Sequence, residues 1–163
     1  MKKSKEGLHS VQNLLNVLKS QYDYILVDCS PSLNVLNASI SIATDQILLP
    51  YRPNRFSTMA LEQTITEFTE LQNQFNGHAA LRIILNDYQS SVENRKFLTG
   101  IASRERSRFL NTTIRSSTEI ENGLNNSTDF YKNTESKSRI DFDNLTREIF
   151  TITESLNAYA RHQ

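Results

Sequence analysis

Asp28 follows the apolar run Ile25-Leu26-Val27 and opens the turn Cys29-Ser30-Pro31-Ser32. A strand that delivers a carboxylate into a turn is how many nucleotide-binding sheets hold a metal-bound phosphate, at the carboxyl edge where open α/β sheets take their ligands. The run does not alternate, which suits a strand covered on both faces, as in a parallel sheet flanked by helices. Asp28 equally suits the cap of a following helix, and residue types leave both roles open. A second chemistry is basic. Arg95, Lys96, Arg104, Arg106, Arg108 and Arg115 fall close together, opposed only by Glu105. Such clustering is what non-specific phosphate binding needs, since neutralised phosphates release their counterions. A solvated helix face carrying Arg for solubility is the other reading.

The rest of the chain bounds these chemistries. Its 163 residues suffice for one domain with one core, and 37% hydrophobic against 22% charged residues mark it as globular. Eighteen basic and eighteen acidic residues cancel, so any affinity for nucleic acid must come from local clustering. Cys29 is the only cysteine and reads as a packed thiol in a buried strand. The histidines are scattered singly, which gives no metal-ligand spacing. No apolar run approaches a membrane span and no signal peptide is legible, so a cytoplasmic protein is expected.

Positioning elements follow from periodicity. Leu8, Val11, Leu14, Leu15 and Leu18 predict an amphipathic helix from about His9 to Ser20. A strand at Tyr24 to Asp28, a helix from about Ser32 to Ala43 and a strand at Gln46 to Tyr51 follow. Ser57 is the expected cap of a long helix striped by Leu61, Ile65, Phe68, Leu71 and Phe75, which Gly77 ends. A strand at Leu81 to Leu85 comes next. Ser90 with Glu93 reads as a capping box opening the helix of Phe97, Ile101 and Phe109. A polar strand near Asn111 to Arg115, a short helix opened by Thr118 and Glu121 and ended by Gly123, and a loop at Asn125 to Ser138 precede a closing helix. That last helix carries Phe142, Leu145, Ile149, Ile152, Leu156 and Tyr159. Strands alternating with helices predict a single α/β domain over residues 1–163, with a mostly parallel sheet flanked by helices on both faces and Asp28 at its carboxyl edge.

From Tyr22 to Leu61 the sequence resembles the ParA/MinD family of partition ATPases. Tyr22-Asp23-Tyr24-Ile25-Leu26-Val27-Asp28-Cys29-Ser30-Pro31-Ser32-Leu33 is similar to the family's Walker B strand and its Asp-Cys-Pro-Pro-Ser-Leu turn, with Ser30 in place of the first proline. Ala43 to Pro53 is similar to the next strand, which ends in a proline, two residues and a second proline. The resemblance implies a P-loop NTPase-like fold, ATP and Mg²⁺ as cofactors, and a role in plasmid or chromosome segregation. It implies that Asp28 orders Mg²⁺ through water, that Pro31 and Ser32 couple nucleotide state to a dimer surface, and that Asn86 contacts the base. Pro31 as a plain turn-former and Asn86-Asp87 as a plain turn are equally natural readings.

The family's Gly-rich phosphate loop has no counterpart, since none of Gly7, Gly77, Gly100 and Gly123 is followed by Lys. The chain reads as the family's carboxyl-terminal part, truncated before the Walker B strand. ATPase activity is therefore left open. In the family, carboxyl-terminal basic residues hold DNA, and Arg115 with the preceding arginines matches them by region, although Ile114 stands where a proline is expected. Two functions remain in play: a ParA-like subunit, including as a homodimer, that takes its phosphate loop from elsewhere, or a non-catalytic module that binds a full-length partition ATPase, an adaptor or DNA. Without the phosphate-loop strand, the strands at Tyr24 to Asp28 and Gln46 to Tyr51 are expected to close up on each other or to be bridged by a second subunit.

Overall fold

The computed structural model describes residues 11–30, 35–75, 77–126 and 129–160. In chain order these form helix α1 (residues 11–18), α2 (Val35–Ala43), strand β1 (Gln46–Tyr51), α3 (Arg55–Phe75), β2 (Ala80–Tyr88), α4 (Val92–Glu105), β3 (Phe109–Arg115), α5 (Thr118–Asn126) and α6 (Lys137–Ala160). Single turns of 3-10 helix at Arg106–Arg108 and Phe130–Lys132 join the later elements. The strands make a three-stranded parallel sheet in the order β1-β2-β3, so the α/β class and the parallel sheet stand as expected. Contacts divide the chain into two units, one reaching to Ile47 and including Glu62–Leu81, the other Leu48–Leu61 with Arg82 onward.

In the first unit, Leu15 of α1, Ile65 and Phe68 of α3 and Leu81 of β2 are buried; Ile65 and Phe68 belong to the α3 stripe that helical spacing demanded, whereas Leu14 of the stripe expected in α1 is exposed. Gln72 on α3 donates through Nε2 to the Ser41 carbonyl of α2 at 3.0 Å, and the Ala80 N–H donates to the Asp45 carbonyl at 2.9 Å. The expected strand at Tyr24 to Asp28 is absent. Residues 24–30 have no regular structure, and Leu26 is 92% exposed. A strand exists only where another backbone pairs with it, and no described segment ladders with this one. Cys29 is accordingly exposed rather than packed. Pairing of this segment with β1 is not observed.

In the second unit, Ile84, Leu110, Ile114 and Leu145 form a buried cluster against which Leu48, Ile120, Phe142, Ile149 and Ile152 pack. The closing helix thus packs Phe142, Leu145, Ile149 and Ile152 of the expected stripe into this core, but it begins at Lys137, inside the expected loop. Ser136 caps it, accepting the Arg139 N–H at 3.2 Å. Other starts move by one to three residues because the capping oxygen that matters is a neighbour of the one expected. Asn54 Oδ1, not Ser57, caps α3 through the Ser57 N–H at 2.9 Å; Ser91, not Ser90, caps α4; and Ser117 precedes α5, accepting the Glu119 N–H at 3.1 Å. Gly123 lies inside α5 rather than ending it.

Candidate functional site

β2 runs past the expected end at Leu85 and carries Asn86 and Asp87 within it. Its ladder with β3 is irregular there: Leu85 opposes Thr113 and Tyr88 opposes Arg115, three steps against two. The extra residue is taken up by Asp87, whose φ of 49° is a left-handed conformation that Asp tolerates better than most side chains. Asp87 pairs with Arg52, just beyond β1, at 3.0 Å. The Ser116 N–H donates to the Tyr88 carbonyl and Gln89 Nε2 to Ser116 Oγ, so the carboxyl ends of β2 and β3 are tied together.

Beside this edge lies a polar cavity of about 430 Å³ lined by Arg115, Ser116, Ser117, Glu119, Lys137 and Ser138 among others. Arg115 is held by Asp141 of α6 in a two-pronged pair, Nε to Oδ2 at 2.9 Å and Nη2 to Oδ1 at 2.8 Å, and its backbone N–H also donates to Asp141 Oδ2 at 3.1 Å. Burial pushes the Asp141 carboxyl up, but the hydrogen bonds and charge of Arg115 outweigh it and hold the carboxyl below its ordinary range; the same hydrogen bonds and charge raise Arg115. Ser136 Oγ donates to Glu119 at 2.7 Å, tying the start of α6 to α5. Ser138 is almost completely buried and lines the cavity, yet its hydroxyl has no partner. A buried orphan hydroxyl costs about 1 to 3 kcal/mol, so this one is poised for a polar ligand.

The sequence-predicted site residues divide. Asp28 lies exposed in the first unit, where Asn37 Nδ2 of α2 holds the neighbouring Ser30 carbonyl at 2.8 Å. Pro31 and Ser32 lie outside the described residues. Asn86 is in the second unit, inside β2 rather than after it. Of the basic residues, Arg95 and Lys96 are exposed near the start of α4 and Arg104 near its end, and Arg106 is exposed on the turn that follows. Arg108 is paired with Glu105 at 2.8 Å, and Arg115 is committed to Asp141. Sequence reasoning missed Asp141, Ser138 and Ser117. Ser117 left a capping signal one residue before the Thr118 expected to open α5, whereas Ser138 ends the polar run from Asn125 and Asp141 follows it, with nothing in residue type to mark either.

A single carboxylate does not make a Mg²⁺ site without phosphate oxygens beside it, and no group of three potential metal-ligating side chains occurs among the described residues. Asp28 fits at most the outer shell of a metal brought in with its nucleotide.

A parallel sheet with a polar cavity at its carboxyl edge defines an α/β protein of the P-loop NTPase-like class. Residues 1–83, half of the chain, match the family described as AAA domain, and the chain belongs to that family, among the ParA/MinD-like partition ATPases. It is 29% identical over 91 residues to an uncharacterized protein of Methanocaldococcus jannaschii, covering 53% of this chain and 35% of that one. It is 29% identical over 66 residues to the sporulation initiation inhibitor protein Soj of Bacillus subtilis, covering 40% and 26%. The chromosome partitioning protein ParA of Myxococcus xanthus is 33% identical over 64 residues, covering 39% and 22%. The matched part of the chain thus spans about a third or less of each relative. No described helix is long and apolar enough to cross a membrane.

Proposed function

We propose that this chain serves a DNA partition system as a ParA-like subunit that holds the nucleoside end of ATP at the carboxyl edge of β2 and β3 and receives its phosphate loop from another polypeptide segment. The observation that carries the reading is the cavity beside Arg115, with its unpartnered Ser138 hydroxyl, in a chain of this family. Ser116, Ser117 and Ser138 supply neutral donors and acceptors of the kind a ribose or base edge needs. Asn86 sits one strand away, between the Leu85–Thr113 and Tyr88–Arg115 register pairs. By family resemblance Asp28, Pro31 and Ser32 are assigned to nucleotide-dependent roles, Asp28 as an outer partner of Mg²⁺ through water. DNA is the proposed macromolecular partner of Arg95, Lys96, Arg104, Arg106, Arg108 and Arg115. A partition adaptor or a full-length ATPase subunit, homodimerisation and a cytoplasmic setting belong to the same proposal.

The absence of any Gly-Lys pair supports a second reading, in which the chain is a non-catalytic module that binds a partition ATPase, an adaptor or DNA without turnover. Titration of the 163-residue chain with a fluorescent ATP analogue separates the two. The first reading expects weak, saturable binding that Ser138→Val weakens; no binding at any accessible concentration leaves the second.

A further inference from the structure

We infer that the cavity beside Arg115 takes the sugar of its nucleotide rather than the base, and that Ser138 reads the vicinal hydroxyls, so that a nucleotide carrying both is preferred to one lacking them. The inference rests on the nucleotide reading above and assigns one part of that ligand to this cavity. Every residue lining it is polar or charged. A purine has two flat apolar faces, which binding sites cover by aromatic stacking or aliphatic packing, and this lining offers neither. A phosphate fits no better, because the carboxylates of Glu119, Glu135 and Asp141 outnumber the two cations, Arg115 and Lys137. What suits the cavity is a neutral group rich in hydroxyls.

Ser138 supplies the second observation. It is the second residue of α6 and 1% exposed, and its Oγ has no partner. The nearby Ser136 hydroxyl is already engaged twice, donating to Glu119 and accepting the Arg139 N–H. The Lys137 and Ser138 N–H groups also lack a partner among the described residues, as the first turn of a helix leaves them. The Glu135 carboxylate is unbonded in the same sense. Free N–H donors, a free hydroxyl and a free carboxylate match a cis-diol, since each ligand hydroxyl accepts and donates at once. Carboxylates take ribose hydroxyls in dinucleotide-binding folds for the same reason. A ligand without those hydroxyls leaves Ser138 buried and orphaned, and a site built to bond a hydroxyl rejects the analogue that lacks it.

The test is a titration of the full chain with unlabelled ATP and with 2′,3′-dideoxyATP, followed by proton–nitrogen correlation NMR. ATP is expected to bind about tenfold or more tightly than the dideoxy analogue, and the Ser138 amide to shift further with ATP. Ser138→Ala is expected to narrow that ratio several-fold, with the change falling on ATP, and to keep Tm at or above the wild-type value because it removes an orphan hydroxyl. Equal affinity of the wild-type chain for the two nucleotides overturns the sugar assignment and leaves nucleotide binding standing. That comparison needs no variant, so it decides alone should Ser138→Ala fail to fold. An unchanged ratio in a Ser138→Ala chain that melts as the wild type does overturns the part given to Ser138. No saturable binding of ATP overturns the nucleotide reading and this inference with it.

Discussion

At the scale of single residues, the second unit is organised by two carboxylates of α6. Asp141 takes the Arg115 guanidinium and backbone N–H, and seven positions on, Glu148 accepts the Asn111 N–H, the Asn111 side-chain amide at 3.0 Å and the Thr112 N–H at 2.8 Å. Both residues lie where the ladder is irregular, since four steps of β3 from Phe109 to Thr113 oppose two steps of β2 from Ile83 to Leu85. Burial raises the Glu148 carboxyl, but the hydrogen bonds from Thr112 and Asn111 prevail and hold it below its ordinary value; the balance for Asp141 is struck the same way. Folded values below the unfolded ones, which are ordinarily 3.8 for Asp and 4.5 for Glu, mean that the unfolded chain binds protons first. The stability these groups contribute is complete above that range and is lost as pH falls through it toward the folded values. Asp141→Asn and Glu148→Gln are each expected to destabilise the chain at pH 7 by about 1 to 3 kcal/mol and to flatten the acid side of a denaturation profile between pH 5 and 3 (about the interval where such carboxylates protonate). An unchanged acid limb in the double variant would remove these residues from the account. None of this was legible in the sequence, where both acids were two among many in a mostly acidic stretch; their role comes from a bulge that no local pattern encodes.

At the scale of elements, what was legible was periodicity. The stripe of α3, that of α6 as far as Ile152, and the apolar strands β1 and β2 are legible because burial of one face leaves a spacing in the sequence. Segment ends were not, since two adjacent polar residues, as at Ser90 and Ser91, compete for one cap and the geometry of the entering chain decides. The segment at Tyr24 to Asp28 failed for a different reason. Its composition is that of a strand, but a strand is a property of a pair. The glycines give a prediction at this level. Gly100 sits in α4 with nothing within 4 Å of where a Cβ would stand, so Gly100→Ala should raise stability by about 0.5 to 1 kcal/mol, read as a higher Tm. Gly77 differs, because a Cβ there meets the end of the Gln72 side chain, which would have to release the Ser41 carbonyl. Gly77→Ala is expected to lower stability by about 0.5 to 1.5 kcal/mol. A gain at Gly77 equal to that at Gly100 would show that the Gln72 bond contributes nothing.

At the scale of the whole molecule, the candidate site was half legible. The Walker B likeness located Asp28 and named the family, but it said nothing of the cavity at Arg115 and Ser138, whose walls come from far later in the chain, between Arg115 and Asp141. Two consequences follow for the isolated chain. Without a lysine and a cradle of backbone N–H groups to offset phosphate charge, no ATP hydrolysis above a buffer blank is expected; turnover abolished by Asp28→Ala would mean that the site is complete within these residues. The second concerns association. Leu26 and Val27 present apolar side chains to solvent on a segment without regular structure, and exposed apolar side chains of this kind favour association with another chain. Leu26 and Val27 are side chains of strand type that find neither a ladder nor a core here, and covering them would return about 25 cal/mol per Å² of apolar surface. Concentration-dependent self-association is therefore expected by light scattering. Leu26→Asp, at a site already in water, should suppress it without lowering Tm. A wild-type chain that stays monomeric at every concentration would show that the exposed run is tolerated as it stands, and that no second strand is needed to cover it.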